Sequence, residues 1–255
     1  MGVVSGCNVT GPPEVESSSG ERLGYLLSAT TVACLTMVLI LSVVGNLLVI
    51  VVYRRTARLN VVIRHHIVSL AVSDVASPLL TYWMMLGSVV YGRWTLGRFA
   101  CQGYAFVQGF CALVSIWSVT AIALERAYSA VIRGAKGPAV DSSATLLRRL
   151  AVAAVWSIGL VLTAPPLFGW GRYQRDGLQL TCCFDFRSRD WPNRAFVLYL
   201  FVGGFVVPLT LLSASYVLLY RLVMRRRRER RQRRAVKNSV TDKADNADLK
   251  SMCTV

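Results

Sequence analysis

The sequence predicts an all-α membrane protein, on the evidence of its composition and of the length of its apolar runs. Of the 255 residues, 54% are hydrophobic and only 16% are charged, whereas soluble domains average about 25% charged residues. The runs are longer than ordinary strands and show no alternation of polar and apolar residues, so strands are not expected. A helix of about 20 residues crosses the hydrocarbon core of a bilayer, which is about 30 Å thick.

Five apolar runs are long enough to be predicted as membrane-spanning helices. Pro165 and Pro166 end the fourth run, because proline cannot continue a helix. Pro208 lies inside the fifth run and predicts a kink there. The predicted spans cover residues 26–53, 66–86, 101–131, 150–168 and 195–224.

The distribution of charge predicts which ends of the spans face the cytoplasm. The net charge of +16 collects after the first, third and fifth spans, and loops rich in Lys and Arg stay on the cytoplasmic side. Residues 1–25 carry three Glu against one Arg and a glycosylation acceptor at Asn8, so they are predicted to be extracellular. Residues 225–255 are predicted to be a cytoplasmic polybasic segment that ends, after Lys237, in a disordered tail.

The seven cysteines include no CxxC pair that would suggest a zinc site. Cys34 and Cys111 fall inside apolar runs and are expected to be small core residues. Cys101, Cys182 and Cys183 fall at the outer ends of spans, where a disulfide can form. The residues themselves leave the pairing open.

Asp74 lies inside the second predicted span. A carboxylate at that depth costs about 2.5–3.5 kcal/mol even on lenient insertion scales, so it must face other helices and find partners there. Asn46 in the first span is a candidate hydrogen-bonding partner. The pair is interpreted either as a functional polar centre or as a structural clamp between two helices.

Glu125 and Arg126 lie at the opposite end of the third span from Cys101, about one membrane thickness away. Taken alone, Arg126 is most simply an arginine that reaches the membrane interface from a helix end. Together with a cysteine at the outer end, the pair gives the helix the layout of a receptor.

Several short motifs resemble, in order and spacing, those of the rhodopsin-like G-protein-coupled receptors. The resemblance implies a rhodopsin-like receptor bundle over residues 26–224, with five of the usual seven transmembrane helices present. Ala127 replaces the usual aromatic residue of the third-helix triplet. The motifs are Gly45-Asn46, Leu70-Ala71-Val72-Ser73-Asp74, Trp94-Thr95-Leu96-Gly97, Glu125-Arg126-Ala127, Trp156, and Phe205 through Pro208 with Tyr216.

The outer loop resembles that of the opsins, the retinal-binding branch of this family. Opsins carry an acidic residue six positions before the loop cysteine that pairs with the third-helix cysteine. Here that residue is Asp176, so the resemblance implies a disulfide between Cys101 and Cys182, with Cys183 as the alternative partner. The matching stretch runs from Pro165 through Tyr173 and continues with Asp176-Gly177, Cys182 and Asp185.

Asp176 is, by this resemblance, the candidate counterion of a protonated retinal imine. Such an imine in an apolar pocket needs an opposite charge to keep its pKa high. Other opsins use a Glu three residues after the third-helix cysteine, where this chain has Tyr104, as melanopsin-like and invertebrate opsins do. The simpler interpretation of Asp176 is a solvated loop charge that pairs with Arg172 or Arg175.

The resemblance also implies a function. In the family, light isomerises retinal, the helices rearrange, and the third helix uncovers a site for a heterotrimeric G protein, so the intact relative is a photoreceptor and not an enzyme. Glu125 and Arg126 would serve coupling, and Tyr216 would stabilise the active state. Candidates for the retinal pocket are Tyr104, Gln108, Gly109, Ala112, Leu200 and Gly204.

The chain departs from the family because it stops after five helices. Its four lysines lie outside the predicted spans, whereas opsins attach retinal to a lysine of the seventh helix, so covalent attachment is not expected here. We expect a truncated gene model, a splice form or a fragment of an opsin. The alternative is a natural five-helix product that could dimerise with a full-length receptor and hold it back.

The polybasic run after the fifth span has three interpretations. Attraction to anionic membrane lipids, about 1 kcal/mol per basic residue near the surface, is the simplest, and contact with a G protein is the second. Nucleic-acid binding is disfavoured because no aromatic residues lie between the arginines for base stacking. The arginines are Arg225 through Arg228, Arg230, Arg231, Arg233 and Arg234.

Two other functions compete with the photoreceptor. Asp176 and the opsin-like loop argue against a receptor for a diffusible ligand, and so does Gln108, which stands where amine receptors usually have an Asp. A retinal photoisomerase shares the opsin pocket, and the sequence does not separate it from a photoreceptor. In each case we expect a multi-pass protein, with the plasma membrane as its location.

Overall fold

The computed structural model describes residues 14–55, 61–132 and 144–252, most of them helical, with side chains described for residues 24–55, 63–132 and 150–235. Within these residues the chain forms the predicted α-helical bundle. It also forms one small hairpin, whose two strands the sequence did not predict. The helices are α1 (Glu14–Arg55), α2 (Val61–Val90), α3 (Gly97–Ile132), α4 (Ala144–Thr163), α5 (Trp191–Phe201) and α6 (Val207–Met252). The strands are β1 (Tyr173–Arg175) and β2 (Cys182–Phe184).

The apolar helices follow the five predicted spans. Among the described residues, four helical segments are long and apolar enough to cross a membrane: Gly24–Arg55, Ile63–Val90, Gly97–Ile132 and Trp191–Ala235. The apolar part of α4, Leu150–Thr163, is shorter than predicted. The helix stops there because Pro165 and Pro166 follow, and the chain continues as a 3-10 turn over Pro165–Phe168.

The predicted kink at Pro208 takes the form of a π turn. This turn, Val202–Val206, joins α5 to α6 without a break. From here on, the fifth span means this continuous helical segment from Trp191 to Met252. Pro208 has no N–H to donate to the carbonyl four residues earlier, and its ring crowds that carbonyl. Widening one helical turn just before the proline relieves the crowding.

The ends of α1 and α6 lie beyond the predicted spans. α6 continues to Met252, whereas the sequence predicts disorder after Lys237. No Gly or Pro follows Pro208, so nothing interrupts the helix, and Arg, Lys, Ala and Leu favour it. α1 likewise begins at Glu14, inside the segment predicted to precede the first span. Apolarity therefore marks the part of each helix within the membrane and not the ends of the helix.

α3 lies at the centre of the bundle. It packs against α2, α4, α6 and both strands. It is the most buried of the long apolar helices, and α1 is the least buried. The elements that form the candidate site are all positioned against α3.

The two strands form an antiparallel hairpin in which Tyr173 pairs with Phe184. Gly169 and Gly171 precede it with φ angles of 92° and 83°, a conformation that L side chains rarely adopt. A Cβ at Gly171 would lie 2.4 Å from Cδ1 of Phe196, whereas one at Gly169 would meet nothing within 4 Å. Gly171 therefore lets the loop pack directly onto α5.

Replacing Gly171 with Ala should lower the apparent melting temperature more than replacing Gly169 with Ala. Both changes introduce backbone strain of about 1–2 kcal/mol, but only Gly171→Ala adds overpacking, about 1–3 kcal/mol, against Phe196. Thermal unfolding in detergent, followed by circular dichroism, measures the difference. Equal losses would show that Phe196 moves aside without cost.

Candidate functional site

A disulfide between Cys101 and Cys182 fixes the hairpin over the end of α3 that carries Cys101. The Cα atoms of the two residues lie 5.4 Å apart, and Cys183 is a free cysteine. This is the pairing that the opsin resemblance implies. Burial, with the charges of Asp176 and Asp185, raises the pKa of the Cys183 thiol, so the thiol stays protonated at neutral pH. The disulfide lies in a buried cluster of Trp94, Cys101, Tyr104, Ala105, Tyr173 and Cys182.

The hairpin packs closely onto α3 at Gly109, one of the predicted pocket residues. A Cβ at this position would lie 2.7 Å from Cζ of Phe184, so the close approach requires glycine. Tyr173, the strand partner of Phe184, donates from its hydroxyl to the carbonyl of Thr163 at 2.6 Å. Burial raises the pKa of Tyr173 well above its ordinary value. The hairpin thus joins the end of α3 that carries Cys101 to the end of α4 that carries Thr163.

The Asp176 carboxylate closes the turn of the hairpin. Its Oδ1 accepts hydrogen bonds from the backbone N–H of Leu180 at 3.0 Å and of Thr181 at 3.2 Å. Its Oδ2 receives no donor from the residues that the structure describes. Arg172 pairs instead with Asp185 and Asp190, and among the described residues no ion pair joins Asp176 to Arg175. The interpretation of Asp176 as an ion-pair partner of Arg172 or Arg175 is therefore wrong.

Asp185 is the most heavily bonded carboxylate of the outer loop, with 1% of its surface exposed. Gln174 donates to it at 2.6 Å, and the backbone N–H groups of Arg187 and Ser188 donate at 3.1 Å and 2.9 Å. Burial alone would raise the pKa of Asp185, but the bonds from Ser188 and Arg187 and the charge of Arg172 outweigh it and lower the pKa. The carbonyl of Asp185 also accepts a hydrogen bond from Asn193 of α5.

Replacing Asp185 with Asn should destabilise the outer loop more than replacing Asp190 with Asn. Asn has one acceptor oxygen, so buried donors lose their partners at about 1–3 kcal/mol each. Asp190 is 41% exposed, and an exposed ion pair contributes about 1 kcal/mol or less. Thermal unfolding of the two variants measures this, and an equal loss of stability would contradict the role of Asp185.

Asp185 should also make the stability of the protein depend on pH. Because folding lowers the pKa of Asp185, its contribution to stability is complete above the unfolded-state pKa of about 4 and is lost as the pH falls through the lower folded-state value. Asp185→Asn should therefore flatten the acid side of the stability profile, measured by thermal unfolding over a series of pH values. An acid side as steep as that of the wild type would contradict this role.

Tyr104 and Gln108 form a polar chain between α3 and α2. Gln108 accepts a hydrogen bond from Ser77 and donates to the Tyr104 hydroxyl at 3.5 Å. Tyr104 in turn donates to the sulfur of Met85 at 3.6 Å. These two predicted pocket residues are therefore brought together on the side of α3 that faces α2.

A cleft of about 360 Å³ separates α3 from the fifth span. Of the predicted pocket residues, Gly204 lines this cleft, while Leu200 is half-buried and Ala112 is exposed. A Cβ at Gly204 would lie 2.8 Å from Cδ2 of Leu113. The walls are mainly apolar and comprise Ser115, Ile116, Val119, Thr120, Gly204, Phe205, Pro208, Leu209 and Leu212.

Asp74 is half-buried and is bonded to α3, not to Asn46. Its Oδ1 accepts a hydrogen bond from Ser115 at 2.6 Å, and its carbonyl accepts one from Ser42 of α1 at 2.9 Å. Asn46 donates instead to the carbonyl of Ser42, within its own helix, at 2.9 Å. The polar centre thus joins three helices, with Asn46 contributing through Ser42.

At the opposite end of α3, Glu125 is half-buried and Arg126 is exposed. Tyr216 on the fifth span is 52% exposed. The three predicted coupling residues thus lie at or near the surface of the bundle. Asn8, the glycosylation candidate, lies outside the described residues.

Two important polar residues had no assigned role from the sequence. In the sequence Asp185 stands out only as part of the loop resemblance, and Ser115 is one of many small polar residues in apolar runs. The available signal for Asp185 is a carboxylate followed by Arg and Ser residues at 187–189. Ser115 carried none, because its role depends on the packing of α2 against α3.

Comparisons with known proteins agree with this architecture. A family model described as 7 transmembrane receptor (rhodopsin family) matches residues 45–253. The chain resembles the crystal structure of squid rhodopsin with a TM-score of 0.69 and 25% identity, over 78% of this chain and 55% of that one.

The curated relatives are rhodopsins and opsins. The Gq-coupled rhodopsin of Mizuhopecten yessoensis is 33% identical over 195 residues, which are 75% of this chain and 38% of that protein. The rhodopsin of a Sphodromantis species is 29% identical over 232 residues, or 91% of this chain and 60% of that protein. The chain thus spans between 38% and 60% of the length of these two relatives.

Proposed function

The chain belongs to the rhodopsin family of seven-transmembrane receptors, on its opsin branch, and from that premise we propose that the whole protein senses light through retinal and activates a heterotrimeric G protein. The family comprises receptors and not enzymes. The observation that carries the proposal is the hairpin anchored by Cys101 and Cys182, which ends in a turn closed by the Asp176 carboxylate.

The residues present fit an elongated apolar chromophore with one cationic end. The cleft beside Gly204 has mainly apolar walls, and Oδ2 of Asp176 has no donor among the described residues, so it can accept one from a ligand cation. Retinal, when bound, supplies light absorption and a change of shape. The residues proposed to hold it are Tyr104, Gln108, Gly109, Ala112, Leu200 and Gly204.

In this proposal Asp176 acts as the counterion. Two backbone N–H groups hold its Oδ1, so the carboxylate keeps one orientation, and no arginine among the described residues forms an ion pair with it. Gly109 and Phe184 bring the hairpin close to α3, which excludes water from the chromophore side of the loop. Exclusion of water strengthens the attraction between the carboxylate and a cation.

The end of α3 that bears Glu125 and Arg126 is proposed as the G-protein site. Arg126 is exposed there, and Tyr216 is proposed to move against α3 in the active state. The relative from Mizuhopecten yessoensis is named as Gq-coupled. We carry over to this chain only the coupling to a heterotrimeric G protein.

The chain is a multi-pass membrane protein, and we propose the plasma membrane as its location. In this proposal residues 26–224 form the receptor domain, residues 1–25 are extracellular and residues 225–255 are cytoplasmic. Arg225, Arg227 and Arg228 are exposed directly after the apolar part of the fifth span. Anionic membrane lipids are the proposed partners of these side chains. Pairing with a second receptor is a further proposal, since α1 is the least buried of the long helices.

Replacing Asp176 with Asn should weaken the electrostatic stabilisation of a cationic chromophore. In a form of the protein that continues through the seventh helix of the family, the variant reconstituted with retinal should lose its visible absorption band at a pH about 1–3 units lower than the wild type, because the opposite charge is gone. Spectra recorded across pH measure this. Asp190→Asn is the matched control, and an unchanged Asp176→Asn spectrum would remove Asp176 from this role.

Light-dependent nucleotide exchange on a G protein, measured with the same form, tests the receptor function itself. Exchange on illumination is expected. Release of isomerised retinal without exchange would favour a photoisomerase. Exchange driven by a soluble ligand in the dark would favour a receptor for a diffusible ligand.

A further inference from the structure

The guanidinium of Arg187 lies on the turn of the hairpin, beside the residue that follows Asp176. A Cβ placed on Gly177 would lie 2.8 Å from Nη2 and 3.4 Å from Cζ of Arg187, and its three nearest heavy atoms all belong to this guanidinium. Gly177 is not among the glycines with positive φ. The position therefore needs glycine for the space that the guanidinium takes up.

The backbone of Arg187 is held by a buried carboxylate. Its N–H donates to Oδ1 of Asp185 at 3.1 Å, and the N–H of Ser188 donates to the same oxygen at 2.9 Å. Because Asp185 is itself enclosed by the loop, the side chain of Arg187 extends toward the turn from a fixed base.

No ion pair within the described part of the chain neutralises Arg187. The ion pairs next to the hairpin are both made by Arg172, and Oδ1 of Asp176 is bound to backbone N–H groups. Tyr104 of α3 and Arg175 of β1 are the other titratable or charged groups close to Asp176. Asp176 and Arg187 thus leave two opposite charges at one turn.

The thiol of Cys183 senses both of these charges. Burial raises its pKa most, the charges of Asp176 and Asp185 raise the pKa further, and the charge of Arg187 lowers it. A native thiol therefore lies within reach of the carboxylate and of the guanidinium, and its reactivity can report the balance between them.

We infer that Arg187 is a positioning residue that acts through Asp176: its guanidinium on Gly177 offsets part of the negative charge that the carboxylate presents to a ligand cation. The inference rests on the proposed function, because the counterion role of Asp176 belongs to it. The carboxylate attracts the cation and Arg187 repels it, so removing either residue should have opposite effects. Arg187 is exposed, so solvent and salt make its effect the smaller one.

Alkylation of Cys183 tests the balance of charge in this chain without a chromophore. The chain in lipid nanodiscs is treated with iodoacetamide over a series of pH values, and mass spectrometry follows the modification of Cys183. Because the thiolate is the reactive form, Arg187→Gln should move the reactivity curve to higher pH, by up to about 1 unit, and Asp176→Asn should move it to lower pH. Arg187→Lys, which keeps the charge, should stay close to the wild type.

Arg189→Gln is the matched control, because it removes the same charge from an exposed position two residues further on. It should leave the reactivity curve of Cys183 unchanged. Recovery of the peptide that links Cys101 to Cys182 shows that each variant keeps the hairpin in place.

Two results of the alkylation experiment would overturn the inference. One is a wild-type curve in Arg187→Gln. The other is an equal shift in Arg187→Gln and Arg189→Gln, which would attribute the effect to net charge. Because this measurement needs neither retinal nor a G protein, it stays valid if the proposed photoreceptor function fails.

Visible spectra across pH test the consequence for the chromophore. In a form that continues through the seventh helix and is reconstituted with retinal, Arg187→Gln should lose the visible band at a pH higher than the wild type by up to about 1 unit, because a like charge is gone. A residue that only supported the fold of the turn would, when replaced, lower that pH as Asp176→Asn does. An unchanged or lowered pH would therefore overturn the inference. Absence of a visible band in every variant and in the wild type would count against the proposed function and leave the alkylation result to judge Arg187.

Discussion

The disulfide between Cys101 and Cys182 is the constraint on which the rest of the candidate site depends. It ties a loop to the Cys101 end of the most buried long helix and so fixes the hairpin relative to α3. Side chains alternate between the two faces of a strand, so this register puts Cys182 and Phe184 on the helix side and Cys183 on the other. A slip of one residue would exchange these faces and would displace the carboxylate at the turn.

Hydrogen bonding distinguishes polar side chains whose partners all lie within the fold from polar side chains that can still bind a ligand or another protein. Asp185 is fully enclosed by donors from the loop, and Asp74 is bonded to Ser115 in the neighbouring helix. In both residues these hydrogen bonds offset the free-energy cost of removing a charge from water. Asp176 and Arg126 are different. Asp176 has one carboxylate oxygen without a donor among the described residues, and Arg126 is exposed. These two residues mark opposite ends of α3, where the proposed ligand and the proposed protein partner would act.

The sequence predicted the spans because apolarity reports directly on the membrane. It predicted the helix ends less well, since Glu14–Gly24 and the stretch after Lys237 are polar but contain nothing that disfavours a helix except two glycines, Gly20 and Gly24. The partners of Asp176 and Asp74 were not predictable, because they depend on hairpin register and helix rotation. For the same reason the residues alone could not choose between Cys182 and Cys183, which differ by one position and by the face of β2 that they occupy.

The pairing of the cysteines is therefore the most direct test of the account. The folded chain is treated with an alkylating agent without reduction, digested, and sequenced by mass spectrometry with fragmentation between Cys182 and Cys183. The account predicts a peptide in which Cys101 is linked to Cys182 and Cys183 is the alkylated residue. A link from Cys101 to Cys183 or to Cys7 would contradict it, because the hairpin would then have another register or another anchor, and the position assigned to Asp176 would no longer hold.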